Sequence, residues 1–330
     1  MESERRSALL SIKLRALVRD HLGTALGPER EPTGSAFGGG AGIVIDSTAW
    51  MLLDQHPERG LGGALAWALR QPGVANLALI ADEGTGILAR RAELFAMPID
   101  VWGTLERVLV PAISEPYVPQ PELKSEHQQF RATIESSGAE PCVEYGILSG
   151  EVRGLEVCRV VDDPHTHEAR LEVGVGAHDR DAYLTMHPNR PVDEALRGVV
   201  EAVLKQRQPD APLHPLNRLA AERFLRWQVL HDPNLARAAW LQPTHGPVPR
   251  PNVKDHYPCV AVGETIDGQP LVVVCSTGVD LDFVPSAADS RAMHAPKAVL
   301  GLVMPARDVL PVTKTLAERV LNGPCEIICP

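Results

Sequence analysis

The chain has 330 residues, enough for a large core in one domain or two lobes. Its formal charge of −10 lacks the basic field with which nucleic-acid binders displace counterions from phosphate, so nucleic acid is not favoured, although a basic face along the first helix stays open. No apolar run approaches the roughly 20 residues that span a bilayer, and charges stand where a signal peptide needs an apolar core; a cytoplasmic protein is expected.

Aromatic residues are scarce, so Val, Leu and Ala must build the core. In chain order, residues 1–40 form an N-terminal segment. Glu4 to Leu22 carries Leu9, Leu10, Ile12, Leu14, Leu17, Val18 and Leu22 among Arg and Lys at helical spacing. This amphipathic helix docks on the body or on a second subunit, giving a homo-oligomer through the helix; a membrane surface is the alternative. Gly27 to Gly42 is rich in Gly, Pro and Ser and reads as a linker.

Residues 41–115 read as a first α/β unit. Strands are expected at Gly42–Asp46, Leu77–Ala81 and Ile99–Trp102, with helices at Leu61–Arg70 and Ile87–Phe95. Residues 116–245 hold a central strand pair and helices: strands near Val143–Leu148, Gly154–Val161 and Ala169–Val175, helices at Phe130–Ser136, Val192–Gln206 and Leu216–Leu230. The proline-rich stretch Gln242–Pro258 reads as a crossing between lobes.

Residues 246–330 form a second α/β unit, with strands at Leu271–Cys275, Val299–Met304 and Glu326–Ile328 and helices at Pro285–Met293 and Val312–Leu321. The fold class is therefore α/β, with two βαβαβ-like units flanking a central hairpin and helices. Ser47-Thr48 and Ser276-Thr277 each follow a first strand, and similar Leu-Ala-x-Arg helices follow at Leu88 and Leu316. A degenerate internal duplication accounts for this, as does the likeness of any two such units.

The densest polar stretch runs from Glu151 to Asp181. Glu151, Arg153, Leu155, Val157 and Arg159 alternate with Gly154, Glu156 and Cys158 along one expected strand; Arg170 and Glu172 lie on the next, and His178, Asp179, Arg180 and Asp181 follow. Asp162, Asp163, His165, His167 and Glu168 fill the turn. Carboxylates and imidazoles this close can hold a divalent metal, Mg²⁺ or Mn²⁺, with Glu156, Glu172 and Asp179 as ligands and His178 moving protons. The same residues also suit an ordinary polar hairpin with a charged, solvated face.

A second set lies at strand ends, where open α/β sheets bind ligands. It comprises Asp46, Ser47, Asp82 and Glu83 in the first unit and Ser276, Thr277, Gly278, Asp280, Asp282 and Asp308 in the second. Ser276, Thr277, Gly278 and Asp280 form the candidate cofactor loop, able to present amides and hydroxyls to an anion; helix capping uses the same residues. On the stretch Leu213–Trp227, Asn217, Arg218, Arg223 and Arg226 share a helix with Leu216, Leu219, Phe224 and Trp227, and could pair with the middle acids or form a solvated face. The cysteines Cys142, Cys158, Cys259, Cys275, Cys325 and Cys329 lack a C-x-x-C spacing and read as reduced thiols, with zinc or a catalytic thiol as the alternative. No Walker loop, G-x-G-x-x-G after a strand, nucleophile elbow or H-E-x-x-H occurs.

The phrases LEVGVGAHDRDA, HPLNRLAAERFLRW and CSTGVDLDFVPSAADSR resemble a family of conserved actinobacterial proteins, over most of the chain after Gly40; that resemblance implies no activity. Glu151, Glu156 and Glu172 also resemble the acids of restriction-endonuclease-like nucleases, but Gly174 stands where that family places lysine. Two functions are expected from these residues: a metal-dependent hydrolase acting on a phosphodiester, or a non-catalytic protein binding a ligand or another protein. The second expects the acids to be dispersed or paired with arginines.

Overall fold

The computed structural model describes residues 2–23, 40–180, 191–208, 216, 219–250 and 256–330. Residues 27–39 of the expected linker, and Asp181, Asn217 and Arg218, lie outside the described residues, and its last three residues, Gly40 to Gly42, open a strand instead. The class is α/β with three open sheets, and the chain divides into two compact units.

The first unit comprises Met1–Tyr117, Val279–Ala292 and Val309–Cys325. Its sheet has the order β1 (Gly40–Ile45), β2 (Thr48–Leu53), β3 (Asn76–Ala81), β4 (Ile99–Leu105), β5 (Val108–Pro111). β2, β3 and β4 are parallel; β1 and β5 run antiparallel to their neighbours. Sequence reasoning missed β2 and β5. The strand expected at Gly42–Asp46 ends in a two-residue turn, with Asp46 at φ 53, and the chain doubles straight back.

One face of this sheet, carrying Ile43, Ile45, Trp50, Leu52, Ala78, Ile80 and Leu109, is covered by α1 (Glu2–Leu22) through Leu14, Leu17 and Val18. Burying each of these three side chains contributes about 1.5–3 kcal/mol. The amphipathic expectation holds for that stripe, but Leu9 and Ile12 stay exposed. α2 (Leu61–Ala68) packs on β3 and α3 (Thr85–Ala92) on β4. α2 begins so close to the chain at 281 that a Cβ on Gly62 would lie 1.8 Å from the Leu281 carbonyl oxygen; only glycine fits there.

The second unit comprises Val118–Gly278, Met293–Asp308 and Glu326–Pro330. It contains an antiparallel meander of β6 (Glu140–Glu144), β7 (Ile147–Val152), β8 (Leu155–Asp162) and β9 (Ala169–Val173). The single strand expected at Val143–Leu148 is two strands joined by Tyr145 and Gly146, both at positive φ. The continuous strand expected from Glu151 is likewise broken by Arg153 and Gly154, at φ 49 and 75. Each break is an X-Gly turn of the twist that suits hairpins. Two short helices, α4 (Ser125–Gln128) and α5 (Arg131–Ser136), precede the meander, and helix α6 (Val192–Gln206), found where expected, buries Leu196, Val200 and Val203 against β8 and β9.

The other sheet runs β10 (Ala238–Thr244), β11 (Cys259–Thr265), β12 (Pro270–Cys275), β13 (Val299–Val303), β14 (Cys325–Ile328). β10 takes up the first three residues of the expected crossing at Gln242–Pro258, and β11 begins directly after it. Helix α7 (Ala221–His231) packs Leu225 and Val229 on this sheet with Ala261, Val273 and Cys275. Helices α8 (Phe283–His294) and α9 (Pro311–Ala317) follow β12 and β13 in the chain. Both sheets thus share the order hairpin, helix, strand, helix, strand. The Ser-Thr pairs do not correspond, however: Ser47-Thr48 opens β2, whereas Ser276-Thr277 follows β12.

Candidate functional site

The meander brings Glu156 and Glu172 together. Arg159 on β8 is paired in register with Glu172 on β9. Glu156 accepts from Arg159 Nε at 3.0 Å and Nη2 at 2.8 Å, and from Arg180 Nη1 at 3.0 Å. Glu172 accepts from Arg170 Nη2 at 2.8 Å, and Arg180 Nε lies 3.6 Å from its other oxygen. Two of the three expected metal ligands therefore meet, and the group between them is a buried guanidinium. Asp179 and His178 are exposed, on a short helical turn at 176–180. Among the described residues, no group of three His, Cys, Asp or Glu side chains is placed to hold a metal ion.

The residues between β8 and β9 form a polar turn. Asp163 accepts the amides of His165 (2.8 Å) and Thr166 (3.0 Å), which hold its carboxyl below the usual range. Asp162 accepts from Lys124 and from His127 Nε2 at 2.7 Å, and these partners hold it at about 2.

Glu151 does not share the strand of Glu156. It lies one residue before the end of β7, opposite Glu156 in register, and is buried. Its partner is Arg223, which also bonds Glu144; Arg226 bonds Glu144 at 2.6 Å and the Val260 carbonyl at 3.2 Å. The arginines of α7 thus pair with acids of the middle strands, one of the two outcomes the sequence allowed. Burial would raise the Glu144 carboxyl, but Arg226 and Arg223 outweigh it and hold it at about 2. Gly154 permits this approach, since a Cβ there would lie 2.2 Å from the Arg223 carbonyl oxygen.

Beside this cluster lies a shallow cleft, open to solvent, lined by Glu144, Tyr145, Arg223, Arg250, Tyr257 and Cys259 among others. The Tyr145 hydroxyl lies 3.0 and 2.9 Å from the Gly246 and Val248 carbonyl oxygens and ties the loop after β10 to the meander. Sequence reasoning did not single out Glu144, Tyr145 or Arg250. The only signal for them was the Tyr145-Gly146 turn.

The strand-end set separates. Asp46 and Ser47 lie in the β1–β2 turn, and the Ser47 carbonyl accepts the amides of Ala75 and Asn76 at the amino end of β3. Asp82 and Glu83 follow the carboxyl end of β3, at the opposite edge of the sheet. The missed hairpin turn is the reason. In the second unit the Gly278 amide donates to Asp308 Oδ2 at 2.7 Å, so a side-chain carboxylate already takes the amide that an anion would use. In the first unit Asp280 pairs with Arg59 at 2.9 Å.

The first unit also buries an ionic network. Asp289 is fully buried and accepts from Arg90 Nε (2.9 Å), Arg91 Nε (3.0 Å) and the Tyr117 hydroxyl (2.9 Å). Arg91 reaches Asp282 at 2.8 Å. Burial pushes the Asp282 carboxyl up to about 7 against the opposing pull of Arg91. Four of the six cysteines are buried, and all six are free thiols. No protein family, curated protein or solved structure matches the chain.

Proposed function

We propose that the chain is a non-catalytic binding protein that takes a ligand or another protein through its α/β lobes. The observation that carries this reading is the closure of Glu156 and Glu172 by Arg159, Arg170 and Arg180. A cation entering there would meet fixed positive charge and would have to displace a buried guanidinium, at a cost of several kcal/mol. The shallow cleft between Tyr145, Arg223 and Tyr257 offers instead a small concavity with polar and aromatic walls.

Calorimetric titration of Mg²⁺ and Mn²⁺ into wild type and Glu172→Ala tests the reading. No saturable binding to either protein is expected. Saturable binding to wild type that is lost in Glu172→Ala overturns it in favour of a metal-dependent hydrolase using Glu156, Glu172, Asp179 and His178. The adjacency of Glu156 and Glu172 is the one observation favouring that second reading. It makes its own demand: Arg180→Ala should then raise metal affinity, since it frees both carboxylates.

A further inference from the structure

Three charged residues of α1 recur at seven-residue intervals, and each meets the carboxyl end of a successive parallel strand. Arg6 Nε donates to Asp54, directly after β2, at 2.9 Å. Lys13 Nζ donates to Asp82, directly after β3, at 2.7 Å. Asp20 accepts from Arg107, in the turn after β4, at 3.1 Å. Between these contacts Leu14, Leu17 and Val18 lie on the apolar face of the sheet. At the end of the helix the His21 ring sits edge-on to Trp102 and Trp50, with centroids 4.6 and 5.7 Å away. Asp82 is held by the Lys13 ammonium and the Thr104 hydroxyl, which lower its pKa.

The carboxyl ends of parallel strands are where open α/β sheets take their ligands. Here that edge carries two carboxylates, and one helix of the same chain fills it with an ammonium and a guanidinium. The charged contacts are largely solvent-exposed, so they set register more than they hold the helix down, and salt screens them. Building on the reading of the chain as a binding protein, we propose that this face is a receptor surface for a basic amphipathic helix, and that α1 occupies it as a tethered, releasable strap. The partner that fits carries an apolar stripe at helical spacing and cationic side chains seven residues apart, matching Asp54 and Asp82. A partner helix of that kind competes with α1 for the same contacts.

Hydrogen exchange read by mass spectrometry on the full chain tests this, comparing wild type with Arg6→Glu/Lys13→Glu. In the variant, α1 amides should exchange about tenfold faster while those of β3 keep their wild-type rate, as for local rather than global opening. Added salt should move wild type in the same direction. Reversing the Lys13 pair as Lys13→Asp/Asp82→Lys should return α1 to slow exchange, which separates loss of the contact from general damage. A fluorescently labelled synthetic peptide of residues 2–22 should bind the double-glutamate variant more tightly than wild type. Exchange of α1 only together with β3, or peptide binding to neither protein, overturns the proposal. Neither result bears on metal binding at Glu156 and Glu172, so a failure here is distinct from a failure of the binding-protein reading.

Discussion

In the first unit Asp289, itself without solvent access, draws Arg90, Arg91 and Tyr117 around it, whereas on the meander of the second unit Glu156 and Glu172 share Arg180 with the partly exposed Arg159 and Arg170 at their side. Both clusters set carboxylates against guanidiniums. Their difference lies in what surrounds them. An ion pair without solvent leaves an uncompensated charge when either partner is removed, while a partly open one can trade its partner for water. The first kind fixes how helices pack, and the second sets the charge pattern of a surface.

The largest effect is expected at the buried end of this comparison. Asp289→Ala leaves the buried Arg90 guanidinium without a carboxylate and takes from Arg91 one of its two, and should cost about 3–5 kcal/mol in urea unfolding. A loss no greater than that of a surface variant would break the contrast between the clusters.

The pH dependence should differ in sign between the units. Asp282 is raised from 3.8 to about 7, so its contribution is full below 3.8 and is lost as pH rises through 7. Glu144 is lowered from 4.5 to about 2, so its contribution is present above 4.5 and is lost as pH falls through 2. Relative to Asp282→Asn, the wild-type urea midpoint should fall as pH rises from 4 towards 8. Relative to Glu144→Gln, it should fall as pH drops from 4.5 towards 2.

A smaller effect is expected from Glu172→Ala. Arg180 keeps Glu156, so the change should cost about 1 kcal/mol in the same unfolding experiment. The smallest effect belongs to Arg6→Glu, whose pair is exposed: global stability should move by no more than about 1 kcal/mol. A loss as large as that of Asp289→Ala would mean that α1 is an integral part of the first unit's core.

The regular elements were legible where one periodicity ran uninterrupted. Leu77–Ala81, Val192–Gln206 and Leu271–Cys275 lie within a residue of the observed elements. What escaped were strands separated by two-residue turns. Asp46-Ser47, Tyr145-Gly146 and Arg153-Gly154 each reverse the chain without the Asn-Gly or Asp-Gly pair that usually announces a hairpin. Two of these turns put expected side chains elsewhere: Asp46 at the other edge of its sheet, and Glu151 on a strand other than that of Glu156. Pairing across β8 and β9 was legible in part, since Glu156 and Glu172 do come together. The guanidinium between them, that of Arg180, comes from helical residues after β9 that the strand pattern does not announce.

The sequence by itself determined the α/β class, the helical stripe of α1 and the supply of acids and arginines in the middle of the chain, because apolar period and composition are local properties. Only the tertiary structure decided which charges meet, which are buried, and that α1 lies along the carboxyl ends of three strands. Those outcomes depend on turns and packing that join residues distant in sequence, and burial, rather than residue type, fixes what an ion pair does.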